Sequence, residues 1–120
     1  MGKKISRFED LEVWKDSMRL ASEIYRNFGG SRDYGFRDQI QRASVSVPSN
    51  IAEGYERHFN KEFIQFLFIV RGSSGELRTQ LYLAIDLKFI DNEKGQRLVE
   101  QTRKLSAMLS GLIKTRREKF

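Results

Sequence analysis

The sequence predicts an all-α protein: an up-down-up-down antiparallel four-helix bundle, formed by one domain over residues 1–120. In four successive segments, apolar residues recur mainly at steps of three and four, the period of a helix with one buried face. Short connections containing glycine or capping residues separate these segments, as expected between antiparallel neighbours. A chain of 120 residues can bury one core without disulfides, and it contains no cysteine.

The first helix is predicted to end at the Gly-Gly-Ser break of residues 29–31. Its buried face is expected to carry six apolar residues: Leu11, Trp14, Met18, Ala21, Tyr25 and Phe28. Three other apolar residues of the same segment lie off this stripe, and we assign them to a contact with another subunit: Val13, Leu20 and Ile24.

The second helix is predicted to begin after Asp33, a good N-cap residue. Its apolar positions keep helical phase across Pro48, the only proline: Phe36, Ile40, Ala43, Val47, Ile51 and Tyr55. The alternation of serine and valine at residues 44–47 is too short to favour a strand. We therefore expect one helix kinked at Pro48, because proline cannot donate to the carbonyl of Ser44. Four nearby polar residues are candidates to satisfy the freed groups: Ser44, Ser46, Ser49 and Asn50.

A third helix is predicted from its N-cap Asn60. Its inner face is expected at Phe63, Phe66, Leu67, Val70, Ser74, Leu77, Leu81, Ala84 and Ile85. If the preceding turn centres on Phe59, Ser44 comes near Ser74 and Ser46 near Gly72, so helices two and three would approach closely there. A phosphate-binding glycine loop is the competing interpretation of "GSSG", but no strand precedes it and no Gly-Lys-Ser/Thr follows.

The segment "FIQFLFIV" at residues 63–70 is apolar at seven of its eight positions, more than one buried stripe requires. Subunit contacts would explain the surplus residues Ile64, Phe68 and Ile69, whereas wide burial of helix three within one chain is the alternative. The fourth helix is predicted to follow the N-cap Asp91. Its inner stripe is Leu98, Thr102, Leu105, Leu109, Leu112 and Ile113.

Positive charge is concentrated near the end of the chain. The formal net charge is +6, and residues 91–120 hold eight basic and four acidic side chains. Six of these basic residues are candidates to contact the phosphates of a nucleic acid: Arg103, Lys104, Lys114, Arg116, Arg117 and Lys119. The alternatives are that these cations only complement the negative end of the helix dipole, or only keep the protein soluble.

The sequence offers little for catalysis. His58 is the sole histidine and lies in a predicted turn, and without cysteine or a second histidine a metal triad or a Cys–His pair is excluded. A Glu-x-x-His motif of di-iron bundles is also missing. We therefore predict a protein that is not an enzyme and that uses no cofactor or metal. No signal peptide or membrane span is apparent, so a soluble cytoplasmic protein is expected.

Three segments carry a family resemblance: "FEDLEVW" at 8–14, "RASVSVPSNIAEGYER" at 42–57 and "FIQFLFIVRGSSGELRTQLYLAIDLKFI" at 63–90. With them the chain resembles the four-helix-bundle proteins encoded in intervening sequences of bacterial 23S rRNA genes, a family related to the accessory variability proteins of diversity-generating retroelements. At Lys88 the family usually has a glycine, and the lysine is expected to extend helix three slightly.

The resemblance implies a ring-like homo-oligomer, typically a pentamer, with a basic surface. The retroelement members are understood to bind nucleic acid and a reverse transcriptase. We therefore expect a non-enzymatic homo-oligomer that binds the backbone of RNA or DNA with little sequence specificity. The alternative is a protein-interaction scaffold that docks a partner enzyme such as a reverse transcriptase.

Overall fold

The computed structural model describes residues 4–120. After a short 3-10 helix at Phe8–Asp10, four α-helices follow: α1 (Glu12–Phe28), α2 (Tyr34–Glu56), α3 (Asn60–Asp86) and α4 (Asn92–Lys119). Each packs against the next in the chain, and α4 packs back on α1, so α1 lies diagonally opposite α3. The prediction of four helices is confirmed, and the described residues include no strand. The bundle measures 45 × 24 × 20 Å.

The core is almost purely aliphatic and aromatic. Its largest fully buried side chains come from all four helices: Phe28, Phe63, Ile24, Ile40, Ile51, Leu67, Leu77, Leu81, Leu98, Leu105, Leu109 and Val47. The predicted inner stripes of α2, α3 and α4 supply most of this set. Burial of these stripes provides the main stabilisation, because each fully buried aliphatic side chain contributes roughly 1.5–3 kcal/mol.

The buried face of α1 differs from the predicted one. Val13, Leu20 and Ile24, assigned from the sequence to a subunit contact, are 4%, 2% and 0% exposed and lie in the core of the single chain. Met18 and Tyr25, assigned to the core, are 42% and 46% exposed. Leu11, Ala21 and Phe28 of the predicted stripe are buried, so the assignment was wrong only in part. α1 carries two overlapping apolar stripes, and the one through Val13, Leu20 and Ile24 is interrupted by Ser17. Contact of α1 with both α2 and α4 selects the stripe through Val13, Leu20 and Ile24.

Capping at the helix ends agrees with the sequence in two of three cases. The Asp33 carboxylate accepts from the N–H of Phe36 at 3.0 Å, and that of Asp91 accepts from the N–H of Lys94 at 2.9 Å. Asn60, predicted to cap α3, is instead its first helical residue, and its side chain does not cap the helix.

Pro48 lies inside one continuous helix, α2. Polar side chains around it bond to the preceding turn: Ser46 Oγ donates to the Ala43 carbonyl at 2.7 Å, and Asn50 Nδ2 donates to the Ser46 carbonyl at 2.8 Å. Ser44 Oγ donates in the same way to the carbonyl of Gln41 at 2.8 Å. These bonds reach the carbonyls of Gln41, Ala43 and Ser46 and not the Ser44 carbonyl that Pro48 leaves without its partner, so the predicted role of the polar cluster is not confirmed. The kink itself stays a prediction.

The close approach of α2 and α3 lies at Gly54 and not at Gly72, where the sequence placed it. A Cβ atom built on Gly54 would be 2.5 Å from the Cβ of Phe66, whereas one built on Gly72 meets nothing within 4 Å. Gly72 is two residues from the buried Ser74, roughly 200° around the helix, and therefore faces outward. The hydroxyl of Ser74 accordingly bonds to α4, at the Thr102 carbonyl, and not to α2.

A lysine occupies a left-handed position at the end of α3. Lys88 has φ 60°, its N–H donates to the Ile85 carbonyl at 3.1 Å, and the N–H of Phe89 donates to the Ala84 carbonyl at 2.9 Å. This is the Schellman pattern, in which glycine is favoured. The expected extension of α3 through Lys88 is therefore wrong, because the helix ends at Asp86.

Replacing Lys88 with glycine should stabilise the protein. We expect Lys88→Gly to raise the free energy of unfolding by about 1 kcal/mol, and the melting temperature by about 4 °C, because the left-handed conformation penalises a Cβ atom. Lys88→Ala removes the same charge but keeps the Cβ, and it should give no such gain in thermal denaturation. An equal rise in both variants would contradict the backbone explanation.

The two glycines of α2 and α3 should respond oppositely to alanine. Gly54→Ala should lower the free energy of unfolding by about 1–3 kcal/mol, because the added methyl group collides with Phe66. Gly72→Ala, the matched control on an open surface, should raise it by roughly 0.5–1 kcal/mol through helix propensity. Chemical denaturation of both variants measures the difference, and a Gly54→Ala variant as stable as the parent would refute the close contact.

Candidate nucleic-acid interface

Four arginines connect α3 to α4 along one side of the bundle, and we call Arg71, Arg78, Arg103 and Arg117 the arginine ladder. Arg103 donates to the Tyr82 hydroxyl. Arg78 donates from Nε to Thr102 Oγ1 at 2.9 Å and from Nη2 to Ser106 Oγ at 2.7 Å.

The other two arginines of the ladder share one aromatic ring. Arg71 donates to Ser110 Oγ at 3.2 Å. The guanidinium carbons of Arg71 and Arg117 lie 4.9 and 5.0 Å from the centroid of Phe68, within range of a cation–π interaction. Because α3 and α4 are antiparallel, Arg71 on α3 lies near Arg117 on α4, and Arg78 lies nearer to Arg103. Arg103 and Arg117 are 14 positions apart on α4, or roughly 21 Å.

Most of the ladder lacks carboxylate partners, in contrast to the cations of α1. On α1, Lys15, Arg19 and Arg26 each pair with an acidic residue three positions earlier. Among the described residues, no carboxylate lies within 4.0 Å of Arg71, Arg78 or Arg117, and only Arg103 pairs, with Glu100. Positive charge is therefore neutralised on α1 and left unneutralised between α3 and α4.

The six cations predicted from the end of the sequence do not form one site. Arg103 and Arg117 belong to the ladder, and Lys114, one turn before Arg117, is exposed on the same helix. Lys104 instead turns toward α1, where its Nζ lies 3.8 Å from a carboxylate oxygen of Asp16. Lys119 is exposed in the last turn of α4.

Arg116, predicted as a phosphate contact, also holds two helices together. Its Nε donates to Asn60 Oδ1 at 2.8 Å, and its carbonyl accepts from Asn60 Nδ2 at 2.9 Å, which ties the end of α4 to the start of α3. Its guanidinium carbon lies 4.9 Å from the Phe63 ring centroid. Partial burial lowers the pKa of Arg116. Replacing Arg116 by glutamate would therefore disturb this junction as well as change the surface charge.

Sequence reasoning missed Arg71 and Arg78. Both lie in α3, outside the C-terminal charge cluster, and the net charge of their segment does not reveal them. The signal was their spacing of seven residues, which places them on one face of a helix, with Phe68 three residues before Arg71 and Tyr82 four residues after Arg78.

The apolar surplus of α3 is largely used within the chain. Ile64 and Phe68, predicted for a subunit contact, are half-buried and pack against the core. Phe66 packs at Gly54 on α2. Of the three predicted α3 interface residues, only Ile69 is exposed, at 53%. The alternative of wide burial within one chain therefore accounts for most of the segment.

An apolar groove lies on the opposite side of the bundle from the ladder. This α1–α2 groove has a volume of about 490 Å³, and its main lining residues are Trp14, Met18, Tyr25, Val45, Pro48 and Ala52. Met18, Tyr25 and Val45 are each more than 40% exposed. The residues that sequence reasoning placed in the core of α1 thus form much of an open apolar surface.

Within residues 4–120, no group of three or more His, Cys, Asp or Glu side chains is arranged to hold a metal ion. His58 is exposed in the turn between α2 and α3, with φ 66°. No helix in the same range is long and apolar enough to cross a membrane.

Comparison with known proteins decides the family. The family model described as 23S rRNA-intervening sequence protein matches residues 9–111. The chain belongs to this family. A solved structure from Bacteroides thetaiotaomicron, a protein of unknown function from the S23 ribosomal protein family, is similar with a TM-score of 0.80 and 23% identity. The similarity covers 86% of this chain and 99% of that chain, and it supports the same fold. No curated protein matches the sequence.

Proposed function

We propose that the protein is a non-enzymatic, homo-oligomeric nucleic-acid-binding protein of the cytoplasm, which needs no cofactor or metal and which contacts the backbone of RNA or DNA through the arginine ladder. One observation carries the proposal: three of the four guanidinium groups on this face lack a carboxylate partner, whereas the cations of α1 are paired. Membership of a family named for 23S rRNA favours RNA over DNA.

The ladder suits phosphate contact better than base recognition. Guanidinium groups offer paired N–H donors that match phosphate oxygens, and each neutralised phosphate releases counterions. The ring of Phe68 is already occupied by two guanidinium groups, and the hydroxyl of Tyr82 is bonded to Arg103. Base stacking on this face is therefore limited, and little sequence specificity follows.

Neutralising the ladder should weaken binding to any polynucleotide. The ladder variant is the triple variant Arg71→Gln, Lys114→Gln and Arg117→Gln, which removes two arginines of the ladder and the neighbouring exposed lysine. We expect it to bind single-stranded RNA much more weakly, with a log–log salt slope smaller by about two to three. Affinity measured between roughly 50 and 200 mM salt gives both quantities.

The matched control lies on α1. The triple variant Lys15→Gln, Arg19→Gln and Arg26→Gln removes the same formal charge from paired side chains on another face, and its binding should change little. Equal loss in both variants would mean that only net charge matters. Undiminished binding by the ladder variant would refute the site.

Assembly into a ring, with five subunits as the resemblance implies, is part of the proposal. The α1–α2 groove supports it, because the apolar groups of Met18, Tyr25 and Val45 contribute no stability while they are exposed in a monomer. Ile69 and Leu83 on α3 and Leu87 directly after it add exposed apolar surface, at 53%, 46% and 49%. Two unlike apolar surfaces on one chain favour head-to-tail contacts, which close into rings. Pro48 lines the groove, and the proposed kink would shape it.

A charge placed in the groove should break the assembly without unfolding the subunit. Val45 is 41% exposed in the single chain, so Val45→Glu should fold normally but bury an unpaired charge at a subunit contact. Light scattering should then show a smaller species than the parent protein. Tyr34→Glu, at an aromatic residue 63% exposed outside the groove, is the control and should leave the molar mass unchanged. A parent protein that is already monomeric at micromolar concentration would refute the assembly.

The second candidate function is a scaffold that docks a partner enzyme, such as a reverse transcriptase. The same α1–α2 groove favours it, since an open apolar groove also fits a protein segment. A chain that does not bind polynucleotides at low salt, but whose groove variant loses a partner protein, would favour the scaffold over the nucleic-acid-binding protein.

A further inference from the structure

A cavity of about 550 Å³ lies at the end of the bundle, where the N-terminal segment, the α2–α3 turn and the last turns of α4 meet. We call it the end cavity. The residues that matter most to its chemistry are Tyr55, His58, Phe59, Thr115, Arg116 and Phe120. Its volume lies within the range of small-molecule sites, roughly 300–1,000 Å³.

Arg116 brings a positive charge to this cavity in a fixed position. The paired hydrogen bonds with Asn60, at 2.8 and 2.9 Å, hold its Nε and its carbonyl. Among the described residues, its two Nη atoms have no hydrogen-bond acceptor, and no carboxylate lies within 4.0 Å of the group. Burial lowers the pKa of Arg116, so part of its hydration is already lost. A fixed, partly buried guanidinium with free donors is suited to bind an anionic oxygen pair.

Two exposed aromatic rings share this cavity with Arg116. Phe59 and Phe120 are 67% and 70% exposed, and both line the cavity. The Arg116 guanidinium carbon lies 3.8 Å from the Phe120 ring centroid. Exposed phenyl rings beside a cation offer a surface on which a nucleobase can stack. The hydroxyl groups of Tyr55 and Thr115 add polar atoms to the lining.

We propose that the end cavity binds a nucleoside monophosphate, with the phosphate at the Nη atoms of Arg116 and the base against Phe59. The nucleotide is either free or the phosphorylated end of a strand, and the second source rests on the proposed function. Arg117 of the arginine ladder lies in the last turns of α4, which also border the end cavity, so a strand that follows the ladder to the end of α4 would reach the cavity. His58 also lines the cavity.

Titration calorimetry with AMP tests the cavity. We expect AMP to bind more tightly than adenosine, because only AMP carries the phosphate. Phe59→Ala should weaken AMP binding roughly tenfold through lost stacking. Arg116→Gln should reduce the affinity for AMP to that for adenosine. Since Arg116→Gln also removes a contact of the fold, Phe59→Ala at an exposed ring is the second, independent variant, and Tyr34→Ala is its matched control.

The strand end is tested with oligoadenylates of eight nucleotides that carry a 5′-phosphate, a 3′-phosphate or only hydroxyl ends. Tighter binding of one phosphorylated oligomer, lost in Phe59→Ala, would identify the strand end as the source. Equal binding of all three, together with AMP binding, would identify free nucleotide.

The end cavity and the arginine ladder can be refuted independently of each other. The ladder variant should keep its affinity for AMP while it loses polynucleotide binding, and Phe59→Ala should keep polynucleotide binding. An end cavity that does not bind AMP at low salt, or that binds it unchanged in both Phe59→Ala and Arg116→Gln, would overturn the inference and leave the ladder untouched.

Discussion

Ser74 and Thr102 face each other at the centre of the α3–α4 contact, and both are completely buried. Ser74 Oγ donates to the Thr102 carbonyl at 3.2 Å, and Ser106 Oγ donates to Ser74 Oγ at 3.0 Å. Arg78 covers this network from outside. Sliding α4 along α3 would leave these buried groups unpaired, at a cost of about 1–3 kcal/mol each. The network therefore fixes the register of the two helices, and with it the arginine ladder and the Asn60–Arg116 junction.

Local signals in the sequence predicted the helices and two of their caps. The sequence did not predict features that depend on contacts between helices. Asp33 and Asp91 cap their helices through bonds three residues away, so the chain alone specifies them. Which face of α1 is buried depends on where α4 lies, and both stripes of α1 have helical spacing. The choice between Gly54 and Gly72 depends on how α2 and α3 turn about their own axes. Composition does not reveal this rotation.

The sequence predicted only part of the candidate site, because the site also depends on contacts between helices. A run of cations along α4 distributes its side chains around the helix at about 100° per residue, so neighbours in sequence diverge in space. Arg116 points to the end of the bundle, Arg117 to Phe68, and Lys104 to Asp16 on α1. The partners that complete the ladder, Arg71 and Arg78, come from another helix. Only the packing of α3 on α4 brings them together.

The distribution of surface chemistry is consistent with the proposed assembly. The α1–α2 groove and the arginine ladder lie on opposite sides of the bundle, because α1 and α2 neighbour each other as α3 and α4 do. Association through the ladder would bring unneutralised guanidinium groups of two subunits together, which electrostatic repulsion opposes. Association through the groove buries apolar surface instead and leaves every ladder accessible. A ring built in that way repeats the ladder once per subunit, so one polynucleotide would contact several ladders at once. Weak phosphate contacts on each subunit would then combine into high overall affinity.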